Sequence, residues 1–282
     1  MSRYTIFTDV AGWDFSAHKL GGDRMTAAAV AVATTELDSF RQKVHLLPKW
    51  SRCTYAQAKT AIHLLRARAA SVSIVTMTEE SEAWKRFCKV TKLLQQEIVR
   101  QHRHPAGFVK PANVTRFALL RDASALAIAH AVKISRSINL LDFQCRKLIE
   151  QTIVCDSDIQ GDENISIFKS FWQISDQHQQ NRHKLGLHFF TRDVQVATEQ
   201  QEPLLLMADY AAGIGQSAFT PNPGRLPFPV AHEFAKEQLK ELYESGKLVS
   251  SAKPFDINGE EMFSDALLVA EKRRQCRKKT KA

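Results

Sequence analysis

The sequence predicts an α/β fold, a mixed sheet flanked by helices, on three observations. Short runs of β-branched and aromatic residues alternate with longer stretches of helical periodicity. The first two runs are close enough to form a hairpin, which makes part of the sheet antiparallel. Later runs are separated by helical stretches, the spacing of parallel crossovers.

Arg3 to Thr8 has the content of a strand, and Met25 to Thr34 reads as a second, buried strand after the Gly21-Gly22 turn. Tyr55 to Ala69 carries Ala, Ile and Leu at helical spacing, and Val72 to Met77 is a β-branched run. Two long helices are predicted next, Glu79 to Arg103, ending before His104-Pro105, and Arg116 to Leu141, apolar over its Ala-rich middle. A helix around Phe143 to Glu150 leads into the short strand Thr152 to Cys155. Ile165 to Gln177 reads as a helix with Phe168, Phe171 and Trp172 on its apolar face, and Leu185 to Phe190 as a strand, followed by the polar segment Arg192 to Gln201. Pro203 opens a helix over Leu204 to Ser217. The proline-rich stretch Thr220 to Pro229 marks a boundary before a last helix, Val230 to Ser245. These elements divide the chain into a main domain over 1–220 with a helical insertion near 79–141, a C-terminal helical appendage over 221–270, and a basic tail over 271–282.

At 282 residues, 44% hydrophobic and 24% charged, the composition is that of a globular protein. The apolar run Met25 to Thr35 is closed by Glu36, short of the roughly 20 residues a membrane helix requires. The run Tyr4 to Phe7 is too brief for a signal-peptide core. A cytoplasmic protein with no membrane association is expected. Its five cysteines are scattered without a C-x-x-C pair, so they read as reduced, mostly buried thiols. Of the net charge of +9, the last twelve residues carry +6, with seven Lys or Arg and one Glu, which leaves +3 elsewhere. Such a tail can bind phosphates non-specifically, and a solvated end accounts for it equally well.

Aspartates terminate the hydrophobic strands. Asp9 follows Tyr4 to Thr8 and Asp156 follows Thr152 to Cys155, so both leave the carboxyl ends of strands, where open α/β sheets place their ligands. Asp209 lies within the apolar helix Leu204 to Gly213, where a charge is costly unless paired or metal-bound. Three carboxylates on one sheet edge would hold hard cations such as Mg²⁺ or Mn²⁺, and two ions about 3.5–4 Å apart could activate water against a phosphodiester. Taken singly, an aspartate after a strand is more often a turn former or cap.

Asp9-Val10-Ala11-Gly12-Trp13-Asp14 resembles the D-E-[SA]-G-x-D opening of the domain of unknown function 3800 (DUF3800) family. The small-residue strand Ala27 to Ala33, the strand ending at Asp156 and Leu204 to Gly213, similar to the family's closing L-Q-x-A-D-x-[IVA]-A-G helix, follow in the family's order from Arg3 to Gln216. That family is similar to the ribonuclease H-like superfamily. The resemblance implies a ribonuclease H-like mixed sheet, a divalent-metal-dependent nuclease site with Asp9, Asp156 and Asp209 as catalytic metal ligands, and nucleic acid as partner. Asp14, Asp158 and Glu202 are supplementary candidates for the metal. Three positions depart from the family pattern: Val10 and Leu206 replace an acid and an amide, and Gln57-Ala58-Lys59 stands where Glu-x-Lys is common. Those departures support the alternative, a catalytically degenerate module of the same fold that binds nucleic acid or a protein partner.

The pair His102 and His104 has the wrong spacing for one helix face, and His178, His183 and His188 sit in polar surroundings. Arg116, Arg121 and Lys133, with Lys89, Lys92, Arg100 and Arg103, suggest either a phosphate-binding face or a solvated one. No P-loop, dinucleotide fingerprint or G-x-S-x-G elbow occurs. Asp156-Ser157-Asp158 lacks the threonine two residues on that an aspartyl-phosphate motif would carry.

Overall fold

The computed structural model describes residues 2–12, 24–78, 111–135, 147–157, 165, 166, 168, 169, 172, 187–219 and 226–250. Asp14, Asp158, the predicted helix over 79–103 with its lysines and arginines, His102, His104, His178, His183 and the basic tail lie outside the described residues.

Six strands form one mixed sheet in the order β5-β4-β1-β2-β3-β6. They are β1 (Ser2–Gly12), β2 (Arg24–Ala33), β3 (Ser71–Thr78), β4 (Lys147–Asp156), β5 (Leu187–Ala197) and β6 (Leu248–Ser250). β2 pairs antiparallel with both β1 and β3, whereas β1–β4, β4–β5 and β3–β6 are parallel. The described helices are α1 (Leu37–Val44), α2 (Tyr55–Arg68), α3 (Pro111–Ser135), α4 (Leu205–Phe219) and α5 (Ala231–Glu244), with 3₁₀ turns at Thr34–Glu36 and Trp50–Arg52. None is long and apolar enough to cross a membrane.

Strand alternation sorts the core into two layers. Tyr4, Ile6, Ala27, Ala29, Ala31, Ile149 and Ile153 face α3, where Phe117, Ala123, Ala127 and Ala131 meet them, with Phe168 and Trp172 alongside. Phe7, Ala28, Val30, Val32, Ile74 and Val154 face the opposite layer of α1, α2, α4 and α5. A central strand of alanine and valine lets helices on both sides approach the sheet closely. On α4, a Cβ at Gly215 would lie 2.7 Å from Ile74 and 2.8 Å from Thr26, and one at Gly213 would lie 2.2 Å from the Trp50 ring. Only glycine fits at these contacts.

Two sequence expectations are corrected. Residues 147–150 belong to β4, not to a helix, because Ile149 is fully buried and this segment is hydrogen-bonded to β1 on one side and β5 on the other. Sheet pairing overrides the ambiguous local pattern Lys147-Leu148-Ile149-Glu150. The strand expected to end at Phe190 takes in part of the polar segment that follows; β5 runs on to Ala197, past a register shift opposite Gln151 and Thr152. As a sheet edge with one face in solvent, it carries Arg192, Asp193 and Gln195 exposed. The short helix α1 and the strand β6 had no counterpart in the sequence reading. Cys53 and Cys155 are buried free thiols.

Candidate functional site

Parallel pairing of β1 and β4 matches Thr8 with Cys155, so Asp9 and Asp156 stand at the same level on adjacent strands; Asp156 closes β4, but β1 does not end at Thr8 as the sequence suggests, because its pairing with β2 carries it past Asp9 to Gly12. Both are 8% exposed. Asp9 and Asp156 each come two residues after an inward residue of the α4 layer, Phe7 and Val154 respectively, so alternation directs both toward that layer. Each carboxylate is oriented by the residue that follows it. Asp9 Oδ1 accepts from the Val10 backbone N–H at 2.7 Å, and Asp156 Oδ1 accepts from the Ser157 N–H at 2.6 Å and its hydroxyl at 3.2 Å. Beneath them the Thr8 hydroxyl contacts the Cys155 sulfur at 2.8 Å, tying the two strands together. Burial pushes the Cys155 thiol up to about 12, with Asp9 and Asp156 adding to that rise and Thr8 and Arg116 opposing it.

On the other face of the sheet, the α3 side, Asp9 and Asp156 border a cavity of about 10 Å³ lined by Thr8, Val10, Cys155 and, from α3, Arg116 and Leu120. That is room for roughly one water-sized body. Arg116, one of the basic residues that the sequence offers as a phosphate face, therefore lines the cavity that the aspartate pair borders. Of the others described, Arg121 is paired with Asp122 at 2.8 Å.

Asp209 reaches the same edge from α4 by a different route. Its Oδ2 accepts from the Trp50 backbone N–H at 2.6 Å. Trp50 is fixed by its ring, which lies over Gly213 and meets Tyr210 and Phe228 edge-on at 5.7 and 5.9 Å. The residue before it, Lys49, sends its ammonium to Asp156 Oδ2 at 3.8 Å and to Glu199 Oε1. Burial raises the Asp209 pKa to about 6, with Glu199 and Asp156 adding to the rise while the Trp50 N–H and Lys49 hold it down. Lys49 is itself raised, first by its bond to Glu199 and then by Asp156, Glu199 and Asp209. The edge thus joins Asp156 and Glu199 through Lys49, with Asp209 close enough to act on all three electrostatically.

Glu202 is committed elsewhere. It forms a forked pair with Arg41 of α1, at 2.6 Å to Nη2 and 3.1 Å to Nε, and receives the Leu204 N–H at the start of α4. Gln57 is also accounted for locally: its side chain turns back on the Thr54 N–H at 2.9 Å in a capping box that starts α2. Lys49 and Glu199 were missed in the sequence because Pro48-Lys49 and Thr198-Glu199 read as ordinary polar connections.

No family model, curated protein or solved structure matches this chain. The chemistry of the site therefore rests on its geometry. Among the described residues, no three His, Cys, Asp or Glu side chains are grouped to hold a metal ion. Asp9 and Asp156 supply the donor type that a hard divalent cation takes, since carboxylate oxygens can accept more than one contact. Asp209 is drawn toward Trp50 and Lys49 instead of completing that pair.

Proposed function

We propose that the chain is a cytoplasmic, ribonuclease H-like module of the DUF3800 kind that acts on nucleic acid as a divalent-metal-dependent nuclease. The observation that carries this reading is the pair Asp9 and Asp156 at the same level on two adjoining, parallel central strands, Asp156 closing β4 and Asp9 three residues before the end of β1, both bordering one small cavity with Arg116. The hairpin, the small-residue strand β2 and the placement of Asp209 on a helix against β1 and β2 support it further.

A bound Mg²⁺ or Mn²⁺ would supply Lewis acidity and a water of lowered pKa at this edge. Asp9 and Asp156 would hold it and fix its position relative to the strands. Arg116 would bind a phosphate oxygen, for which a guanidinium fork is well shaped, and orient the scissile group toward the aspartates. Thr8 and Cys155 tie the two strands together at this level.

The second reading is a catalytically degenerate module that binds nucleic acid or a protein partner. The ion pair of Lys49 with Asp156 favours it, together with Val10 and Leu206 at positions where the family has an acid and an amide. A cleavage assay over single- and double-stranded DNA and RNA with Mn²⁺ separates the two. Expected for the nuclease is cleavage that Asp9→Asn and Asp156→Asn each reduce by at least about 100-fold, and that Arg116→Ala weakens mainly through substrate binding. Binding without cleavage of any substrate selects the second reading.

A further inference from the structure

We propose that the start of α2 and the turn before it form a track for single-stranded nucleic acid, on which Tyr55 stacks an unpaired base while Arg52 and Lys59 hold the neighbouring phosphates. This rests on the nucleic-acid reading above and names the form of its substrate.

Two observations carry it. The first is charge. Residues 39–78 contain seven Lys or Arg and no Asp or Glu. Carboxylates from outside that stretch take four of the seven: Glu202 pairs with Arg41, Asp156 and Glu199 with Lys49, Glu241 with Arg66, and Glu36 with Arg68. Among the described residues, no carboxylate pairs with the other three, Lys43, Arg52 and Lys59, and all three are exposed. A helix face that is merely solvated mixes its signs, as α5 does with Glu233, Lys236, Glu237 and Lys240. The start of α2 instead presents a cation before Tyr55 and another one turn after it, on the same face, which complements phosphate. The second is the tyrosine itself. Its ring sits edge-on against Phe228 and Phe234 at 5.8 and 5.1 Å, yet the residue is 46% exposed. A braced aromatic ring left open between cations is a stacking platform, and a base inside a duplex is already stacked. The track leads to the acidic edge. Trp50 rests on the same Phe228 and gives its N–H to Asp209, and the Arg52 N–H closes a turn on the Lys49 carbonyl at 3.0 Å.

The test is fluorescence anisotropy of labelled oligothymidylate, oligouridylate and a duplex of equal length, titrated with the full chain in EDTA at several salt concentrations. The native chain is expected to prefer the single strands. Tyr55→Leu should weaken single-strand binding at least about 5-fold with a native salt slope, while Tyr55→Trp keeps native affinity. Arg52→Gln combined with Lys59→Gln should flatten the slope of log affinity against log salt by about 1.4. Tyr243→Ala, at an aromatic exposed elsewhere, should bind as the native chain does. Native affinity in Tyr55→Leu overturns the proposal, as do equal losses in Tyr55→Leu and Tyr55→Trp, an unchanged slope in the double variant, or a preference for duplex. Should Tyr55→Leu not fold, the double variant, altered only at exposed positions, decides by its slope. Binding is read without metal and so apart from cleavage. A chain that cleaves nothing but loses affinity in Tyr55→Leu keeps the track and loses the nuclease; one that cleaves while Tyr55→Leu binds natively keeps the nuclease and loses the track.

Discussion

Asp209 shows how one residue can set both stability and site charge. Its carboxyl titrates near 6 in the folded protein, above its ordinary value of 3.8. The native state therefore holds this proton more tightly than the unfolded chain does. Below about pH 4 both states are protonated and the group is neutral to stability; as pH rises through 4 to 6 the fold loses stability, on the order of 3 kcal/mol, and stays lower above that. Lys49, Glu199, Asp156 and the Trp50 N–H are the groups that face it. Asparagine keeps an acceptor for Trp50 and removes the charge. Asp209→Asn is accordingly expected to melt higher than the native protein at pH 7–8, to match it near pH 4, and to flatten the slope between. Thermal melts across that range check it, and a lower melting temperature at pH 7.5 would show that the ionised carboxylate is stabilising through Lys49.

At the level of elements, α4 depends on two glycines. Replacing a helical glycine with alanine ordinarily stabilises a helix by about 1 kcal/mol, but here the sign should reverse. Gly213→Ala would drive a Cβ into the Trp50 ring at 2.2 Å, and Gly215→Ala would press Ile74 and Thr26 at 2.7 and 2.8 Å. Overpacking of this kind costs about 1–3 kcal/mol. Denaturant melts should rank Gly213→Ala as the more damaging. Because Trp50 carries Lys49, that variant should also shift Mn²⁺ affinity, whereas Gly215→Ala should leave it native. The same element shows what sequence could reveal. Asp209 stood out because a charge among Leu204 to Gly213 demands a partner, and Asp9 and Asp156 stood out because each follows a short hydrophobic run, although pairing with β2 extends β1 past Asp9 to Gly12 and only Asp156 ends its strand. Lys49 and Glu199 gave no such signal; a lysine after Pro48 becomes part of the site only through a tryptophan seated on a helix more than 150 residues away. The β5 edge was hidden for a related reason. Its polar face looks like a loop until β4 is placed beside it, and β4 itself was misread over Lys147 to Glu150 because two apolar residues between two charged ones fit either period.

For the molecule as a whole, the excess charge is concentrated in residues 271–282, which carry seven basic side chains. If these tether nucleic acid, their deletion should weaken binding equally across sequences and make it less sensitive to salt, while leaving metal affinity untouched. Salt titration of the shortened and full chains reads this directly, and identical slopes would remove the tail from the interface. The strand order has its own consequence for how the protein is made. β1 hydrogen-bonds to its neighbour in the hairpin early in the chain, but its other partner, β4, is separated from it by more than 130 residues. During synthesis the ribosome releases β1, β2 and β3 well before β4 exists, so a nascent chain has one long, apolar central strand with its outer side unpaired. That interval exposes a template for association with other chains. A stalled or truncated product ending before residue 147 should aggregate, and its recovery should depend on holdase chaperones that the completed chain can do without.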